Sequence, residues 1–179
     1  MITTNDGPAY SSVAKALHWL ILALLVGQFA IAWTMPEIGR GSVPTGLIAW
    51  HLSVGVAILA VVIVRLVWRA THPAPPAPAD LPAALAILSR ITHYVLYAVL
   101  IVLPLLGWAN ASARGWAVKL FGAVPLPSLM PKGSALGHSL GDVHATLATA
   151  LLAIVALHVT GALYHAVVLK DRTLKRMLP

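Results

Sequence analysis

Apolar residues run through the chain in four long blocks, over residues 12–35, 46–68, 84–110 and 142–169. Polar residues, glycine and proline gather between them. Each block reaches the roughly 20 residues that a helix needs to cross the hydrocarbon core of a bilayer. A lone apolar segment in lipid must satisfy its own backbone polar groups, so each block predicts a helix. Pro104 falls inside the third block and predicts a kink there. The first block is too long, and its start too polar, for a cleaved signal peptide. The expected fold is all-α: an integral membrane four-helix bundle, one domain over residues 1–179.

The connections differ in kind. Residues 36–45 form a short polar loop. Residues 71–82, THPAPPAPADLP, are proline-rich and read as a stiff extended tether. Residues 112–141 form the long loop, with Trp116, Phe121 and several prolines and glycines suited to the membrane interface.

Composition narrows the picture. Hydrophobic residues make up 59% of the 179 and charged residues only 9%, far from the roughly 25% charged of a soluble domain. A soluble enzyme, a nucleic-acid binder and a disordered chain are thereby excluded. The net charge of +7 sits beside the apolar blocks, where membrane topology puts it. Lys15, Arg65, Arg69, Arg90, Lys170, Arg172, Lys175 and Arg176 lie on one side of the bundle; Arg40, Arg114, Lys119 and Lys132 lie on the other. The larger group marks the cytoplasmic face, which then holds both termini and the proline-rich connection. The bacterial inner membrane is the expected location. With no cysteine, disulfides, iron–sulfur clusters and thioether-attached haem drop out.

The candidate chemistry lies in eight histidines. His72 and His138 fall in connections and read as solvated loop residues. His18, His51, His93, His144, His158 and His165 fall inside the blocks, where coordinating side chains are costly and mark function. His144 and His158 are 14 residues apart, about 21 Å along a helix and about 40° apart around it, so they share a face. His165, seven residues further, joins that face. One such histidine is most simply a hydrogen-bonded core residue, but six would each need a separate buried partner.

Depth sorts them. His51 and His144 lie in the outer half; His18, His93, His158 and His165 lie in the inner half. Two imidazoles from different helices at one depth can hold a haem iron from both faces, in the manner of cofactor sites built between facing helices. Non-covalent haem b fits a chain without cysteine. Depth alone leaves the inner partner of His158 open between His18 and His93. Gly55, four residues after His51, is small enough to admit a macrocycle. Haem propionates need cations. Arg65, Arg69, Arg90 and Lys15 stand ready inside, and Arg114 and Lys119 outside; the positive-inside rule accounts for most of them equally well.

The ordered set across the four blocks resembles the bacterial cytochrome b561 family. It comprises Leu17-His18-Trp19-Leu20, His51-Leu52-Ser53-Val54-Gly55 and Arg65-Leu66-Val67-Trp68-Arg69. It continues with His93-Tyr94-Val95-Leu96-Tyr97, Leu103-Pro104-Leu105-Leu106-Gly107-Trp108, the pair His144 and His158, and Tyr164-His165. Lys170-Asp171-Arg172-Thr173-Leu174-Lys175-Arg176-Met177-Leu178-Pro179 closes it. The resemblance implies two b haems, with His18 opposite His158 and His51 opposite His144 as iron ligands, and quinone chemistry. At least one member of the family resembles a superoxide oxidase passing electrons from superoxide to ubiquinone, while others are electron carriers; the expectation here is an enzyme of the former kind. The expected partners are therefore membrane lipid, quinone and superoxide, with no nucleic acid and no obligate protein partner. His165 is the expected catalytic residue, near the cytoplasmic interface, able to bond a propionate or hand a proton to quinone. His93 is expected not to ligate iron. A basic outer surface of Arg40, Arg114, Lys119 and Lys132, against Glu37 and Asp142, would draw a small anion. Two rival readings remain. One is a di-haem anchor subunit relaying electrons for a partner dehydrogenase or hydrogenase. The other is a histidine-based transporter, against which stands the lack of Asp or Glu within the span interiors.

Overall fold

The structure is a computed structural model that describes residues 9–39, 41–76 and 81–179. Four helices carry the fold: α1 Ser12–Thr34, α2 Gly46–Thr71, α3 Ala83–Ala113 and α4 Ala135–Val167. All four are long and apolar enough to cross a membrane. The protein is an all-α membrane bundle, as the apolar blocks predict, with large side chains such as Val26, Trp33 and Tyr94 exposed on its outside where lipid would meet them.

Local chemistry sets the helix ends. The Ser11 hydroxyl accepts the Ala14 N–H and starts α1. The His72 N–H bonds the Trp68 carbonyl and ends α2 just before Pro73. Pro104 lies inside α3. The Ser134 side chain accepts the Gly137 N–H and starts α4 at Ala135. That start lies well before residue 142, where the apolar block begins. His138 therefore sits in the opening turns of α4, exposed, rather than in a loop.

The α3–α4 connection, at the end that the expected topology makes the outer one, is correspondingly shorter and partly ordered. It contains a small antiparallel hairpin, β1 Lys119–Leu120 and β2 Val124–Pro125, in register Lys119 to Pro125. Phe121 and Gly122 turn it in the left-handed region. The hairpin is latched to α2 by Ser53, whose hydroxyl donates to the Lys119 carbonyl and accepts the Phe121 N–H. Trp116 Nε1 reaches the Ser42 carbonyl at 3.1 Å, tying the same segment to the α1–α2 loop. At the opposite end, Tyr10 N–H bonds the Arg176 carbonyl and Arg176 Nη1 bonds the Pro76 carbonyl. The start of α1, the C-terminal segment and the proline-rich connection thus meet on one face.

Packing is uneven. α1 lies on α2, α2 on α3, and α3 on α4. Small residues bring α3 and α4 close: a side chain at Gly137 would collide with the Ala113 Cβ at 2.5 Å. Yet among the described residues no Cα of α4 comes within 8 Å of one in α1 or α2. The core joins Ile21, Val54, Ile58, Val62, Val99, Leu100 and Leu151, with Val62 and Leu151 fully buried.

Candidate functional site

The interval between α4 and the first two helices is where the histidines face one another. In the outer half, His51 of α2 and His144 of α4 have ring centres 6.1 Å apart and planes at 76°. In the inner half, His18 of α1 and His158 of α4 stand 6.2 Å apart at 66°. A metal–imidazole nitrogen bond of about 2.0 Å on each side, added to the distance from nitrogen to ring centre, separates opposed rings by roughly 6 Å. Both pairs meet that separation. Leu151, seven residues from each ligand candidate on α4, lies fully buried between the two levels.

The inner half holds a third ring. His93 of α3 lies 5.0 Å from His158 and edge-on at 88°. Its Nδ1 contacts the Ser89 carbonyl at 2.6 Å. Ring centres 5.0 Å apart are too close to flank one iron, whereas the 6.2 Å between His18 and His158 is not. Depth along the sequence left those two open because they differ in distance, not in level.

His144 is held as a metal-binding imidazole needs to be. Its Nδ1 donates to the Leu103 carbonyl at 2.9 Å, which leaves Nε2 as the lone-pair nitrogen. Gly107 makes room for it: a Cβ there would sit 3.0 Å from His144 Cε1. His51 is held differently. The Gln28 amide nitrogen lies 3.3 Å from His51 Nε2 and donates to the His51 carbonyl at 3.0 Å, while His51 Nδ1 is buried with no partner. No role was read into Gln28 or Gly107 from the sequence. Gln28 does carry a signal, an amide in an otherwise apolar span.

The cations divide. Arg65 points into the inner half, its Nη1 donating to the Ala14 carbonyl at 2.7 Å and its Nε to the Tyr97 hydroxyl at 3.2 Å. Arg69 is exposed beside it, and both line a pocket with Tyr10, Trp68 and His72. Arg90 is exposed on α3, and Lys15 is half-buried on α1. Arg114 caps α3, where its Nε donates to Asn110 Oδ1 at 3.0 Å, its Nη1 to the Gly39 carbonyl at 3.4 Å, and its guanidinium lies over Trp116. Lys119 and Lys132 are exposed; Arg40 lies outside the described residues. His72 stacks flat on Trp68 at 3.7 Å, apart from both pairs.

His165 closes the inner end. Its Nδ1 meets Asp171 Oδ2 at 2.5 Å, and Asp171 Oδ1 accepts the Thr173 N–H at 2.7 Å. Burial alone would raise the Asp171 carboxyl, but the hydrogen bonds from His165 and Thr173 outweigh it and hold the group below the usual carboxylate range. Next to His18, Trp19 Nε1 donates to the Met177 carbonyl at 2.9 Å, so the C-terminal segment is strapped across this end.

An apolar bundle that opposes two pairs of imidazoles at iron-spanning distance has the frame of a membrane cytochrome. Comparison with known proteins gives the family. The model described as prokaryotic cytochrome b561 matches residues 9–179, and the chain belongs to that family. It is similar to the probable superoxide oxidase CybB of Yersinia pestis, 33% identical over 95% of this chain and 96% of that protein. It is also similar to cytochrome b561 homolog 2 of Escherichia coli K12, 28% identical over 99% of this chain and 95% of that protein. Cytochrome b562 of Cereibacter sphaeroides is 28% identical over 96% of each. The protein is accordingly a haem-b-binding electron-transfer cytochrome and a multi-pass protein of the bacterial inner membrane.

Proposed function

We propose that the protein is a superoxide:ubiquinone oxidoreductase that holds two b haems in one membrane domain, with both termini in the cytoplasm. The observation that carries the di-haem part is the pair of imidazole separations, 6.1 and 6.2 Å, on one face of α4. The donor rests on the 33% identity to the Yersinia pestis relative named as a probable superoxide oxidase.

In this reading His18 with His158 would hold one haem iron and His51 with His144 the other. When bound, the haems supply one-electron redox chemistry that joins a one-electron donor to a two-electron carrier. Two superoxide anions each lose one electron and leave as O₂; ubiquinone gains both electrons with two protons and leaves as ubiquinol. Arg65 and Arg69 would neutralise the propionates of the inner haem, Arg65 being already aimed inward by Ala14 and Tyr97. Arg114 is the outer counterpart, and its bonds to Asn110 and Gly39 mean that its loss costs loop order as well. Arg114, Lys119 and Lys132 draw superoxide to the outer face. At the inner face, the ionised Asp171 orients His165 through Nδ1, which leaves Nε2 to exchange a proton with quinone. No further protein is required in this reading.

Stopped-flow haem reduction by a superoxide source, followed by quinone reduction in the same sample, tests it. The expected result is haem reduction that slows with ionic strength, since screening cuts the field's reach to about 8 Å at 0.15 M salt. Quinol formation is expected to slow in His165→Ala while both haem spectra persist. Haems inert to superoxide would remove the donor assignment; reduction by it at a salt-independent rate would remove the steering by the outer cations.

A further inference from the structure

Gln28 and His51 meet in the outer half of the bundle, and each carries a polar atom with nothing to bond. The Gln28 amide nitrogen donates to the His51 backbone carbonyl at 3.0 Å and lies 3.3 Å from the ring Nε2. Gln28 Oε1 and His51 Nδ1 are both buried without a partner. The carbonyl contact fixes which end of the carboxamide is which, because exchanging the ends would set oxygen against oxygen. Gly55 lies alongside, where a Cβ would meet the Gln28 amide nitrogen at 3.4 Å. Buried polar groups are almost always paired. A spare acceptor and a spare ring nitrogen on two touching side chains therefore point to an arrangement that completes both.

The outer pair supplies that arrangement, and the argument rests on reading His51 and His144 as its ligands. His144 places its Nδ1 on the Leu103 carbonyl and keeps Nε2 for the metal. His51 has no such carbonyl. An imidazole bound to iron through Nε2 carries its proton on Nδ1, and inside the bundle that N–H needs an acceptor. We propose that Gln28 is the positioning residue of His51: once His51 Nε2 is committed to iron, the Gln28 amide releases that nitrogen and turns Oε1 to accept the Nδ1–H. The terminal torsion of glutamine is broad enough to allow the turn. A partner on the far nitrogen fixes the ring and raises its basicity. A more basic ligand favours ferric iron, so Gln28 holds the outer potential down.

Redox titration of the purified holoprotein tests this, with wild type, Gln28→Leu and Gln28→Glu compared. The outer haem is identified as the component lost in His51→Ala. In Gln28→Leu the outer haem should become easier to reduce by about tenfold, the lower end of second-shell effects; for one electron that is about 59 mV. The inner haem should not move. Gln28→Glu keeps an acceptor for the N–H, so its outer potential should fall at or below wild type. An unmoved or lowered outer potential in Gln28→Leu, or a rise in both variants, overturns the proposal. Should Gln28→Leu lose the outer haem, Gln28→Glu decides: retention at or below the wild-type potential supports the role, and loss or a rise overturns it. If both haems survive His51→Ala, the ligand reading itself has failed and the role of Gln28 falls with it. If one is lost and Gln28→Leu shifts nothing, only the role of Gln28 has failed.

Discussion

The outer and inner histidine pairs have nearly the same ring separation, but their surroundings are built differently. Around the outer pair the holding groups are uncharged: the Leu103 carbonyl orients His144, Gly107 clears its space, and the Gln28 amide meets His51. Around the inner pair stand ionisable side chains, a third histidine and an inward arginine on a tyrosine, beside a C-terminal strap pinned through Trp19. In the proposed function the two ends have different tasks: one admits a small anion, and the other, with its titratable groups, exchanges protons with a larger carrier.

The largest effect that separates the two regions is removal of one ligand. His144→Ala should lose the outer haem alone, taking haem per chain from two to one, and His18→Ala should lose the inner haem alone. His93→Ala should keep both, which pyridine haemochrome analysis will show. A protein that loses haem in His93→Ala and retains it in His18→Ala reverses the inner assignment.

Gly107→Val comes next. The Cβ alone would stand 3.0 Å from His144 Cε1 and the added methyls would press the ring aside, so outer haem affinity should fall by about 10- to 100-fold, as when the groups that orient a metal ligand are disturbed. The inner haem should stay, and haem retention during dilution and gel filtration measures both.

Leu151→Ala sharpens the comparison from between the two levels. Leu151 is fully buried, and truncating such a residue costs about 2–5 kcal/mol. Both haems should remain at full occupancy while the midpoint of thermal bleaching drops. Selective loss of one haem would show that Leu151 belongs to a single site.

The smallest effect concerns the strap. Asp171 has its carboxyl lowered from an ordinary 3.8, so its contribution to the folded state is complete above that pH and is lost as pH falls through the lowered folded value. Asp171→Asn should therefore be slightly less stable than wild type near neutrality, and the gap should close in acid. Being at a screened surface, the pair adds little. Melts of both proteins across pH 2–7, roughly bracketing the carboxylate range, will show it.

The features legible in the sequence are those written along one helix. Four apolar blocks became four helices because lipid leaves the backbone no alternative. His144, Leu151 and His158 fall at sevenfold spacing, so their shared face could be read before any fold was known. The unread features depend on what lies across a gap. His18 and His93 share a level, and only the tertiary distances of 6.2 and 5.0 Å to His158 separate them. Gly107 has meaning only once His144 lies against it, and Gln28 only once His51 does. The start of α4 was hidden because Gly-Ser-Ala-Leu-Gly reads as a loop until the Ser134 side chain is seen capping the helix. The outer hairpin, two residues per strand, carries no periodicity to detect.

Haem stoichiometry tests the central claim most directly. Wild type and His51→Ala would be purified in detergent, and haem b per chain measured by pyridine haemochrome against quantitative amino-acid analysis. Two haems per wild-type chain, both with low-spin reduced spectra, and one in His51→Ala are expected. A single haem in wild type, or an undiminished count in His51→Ala, would contradict the paired-imidazole account.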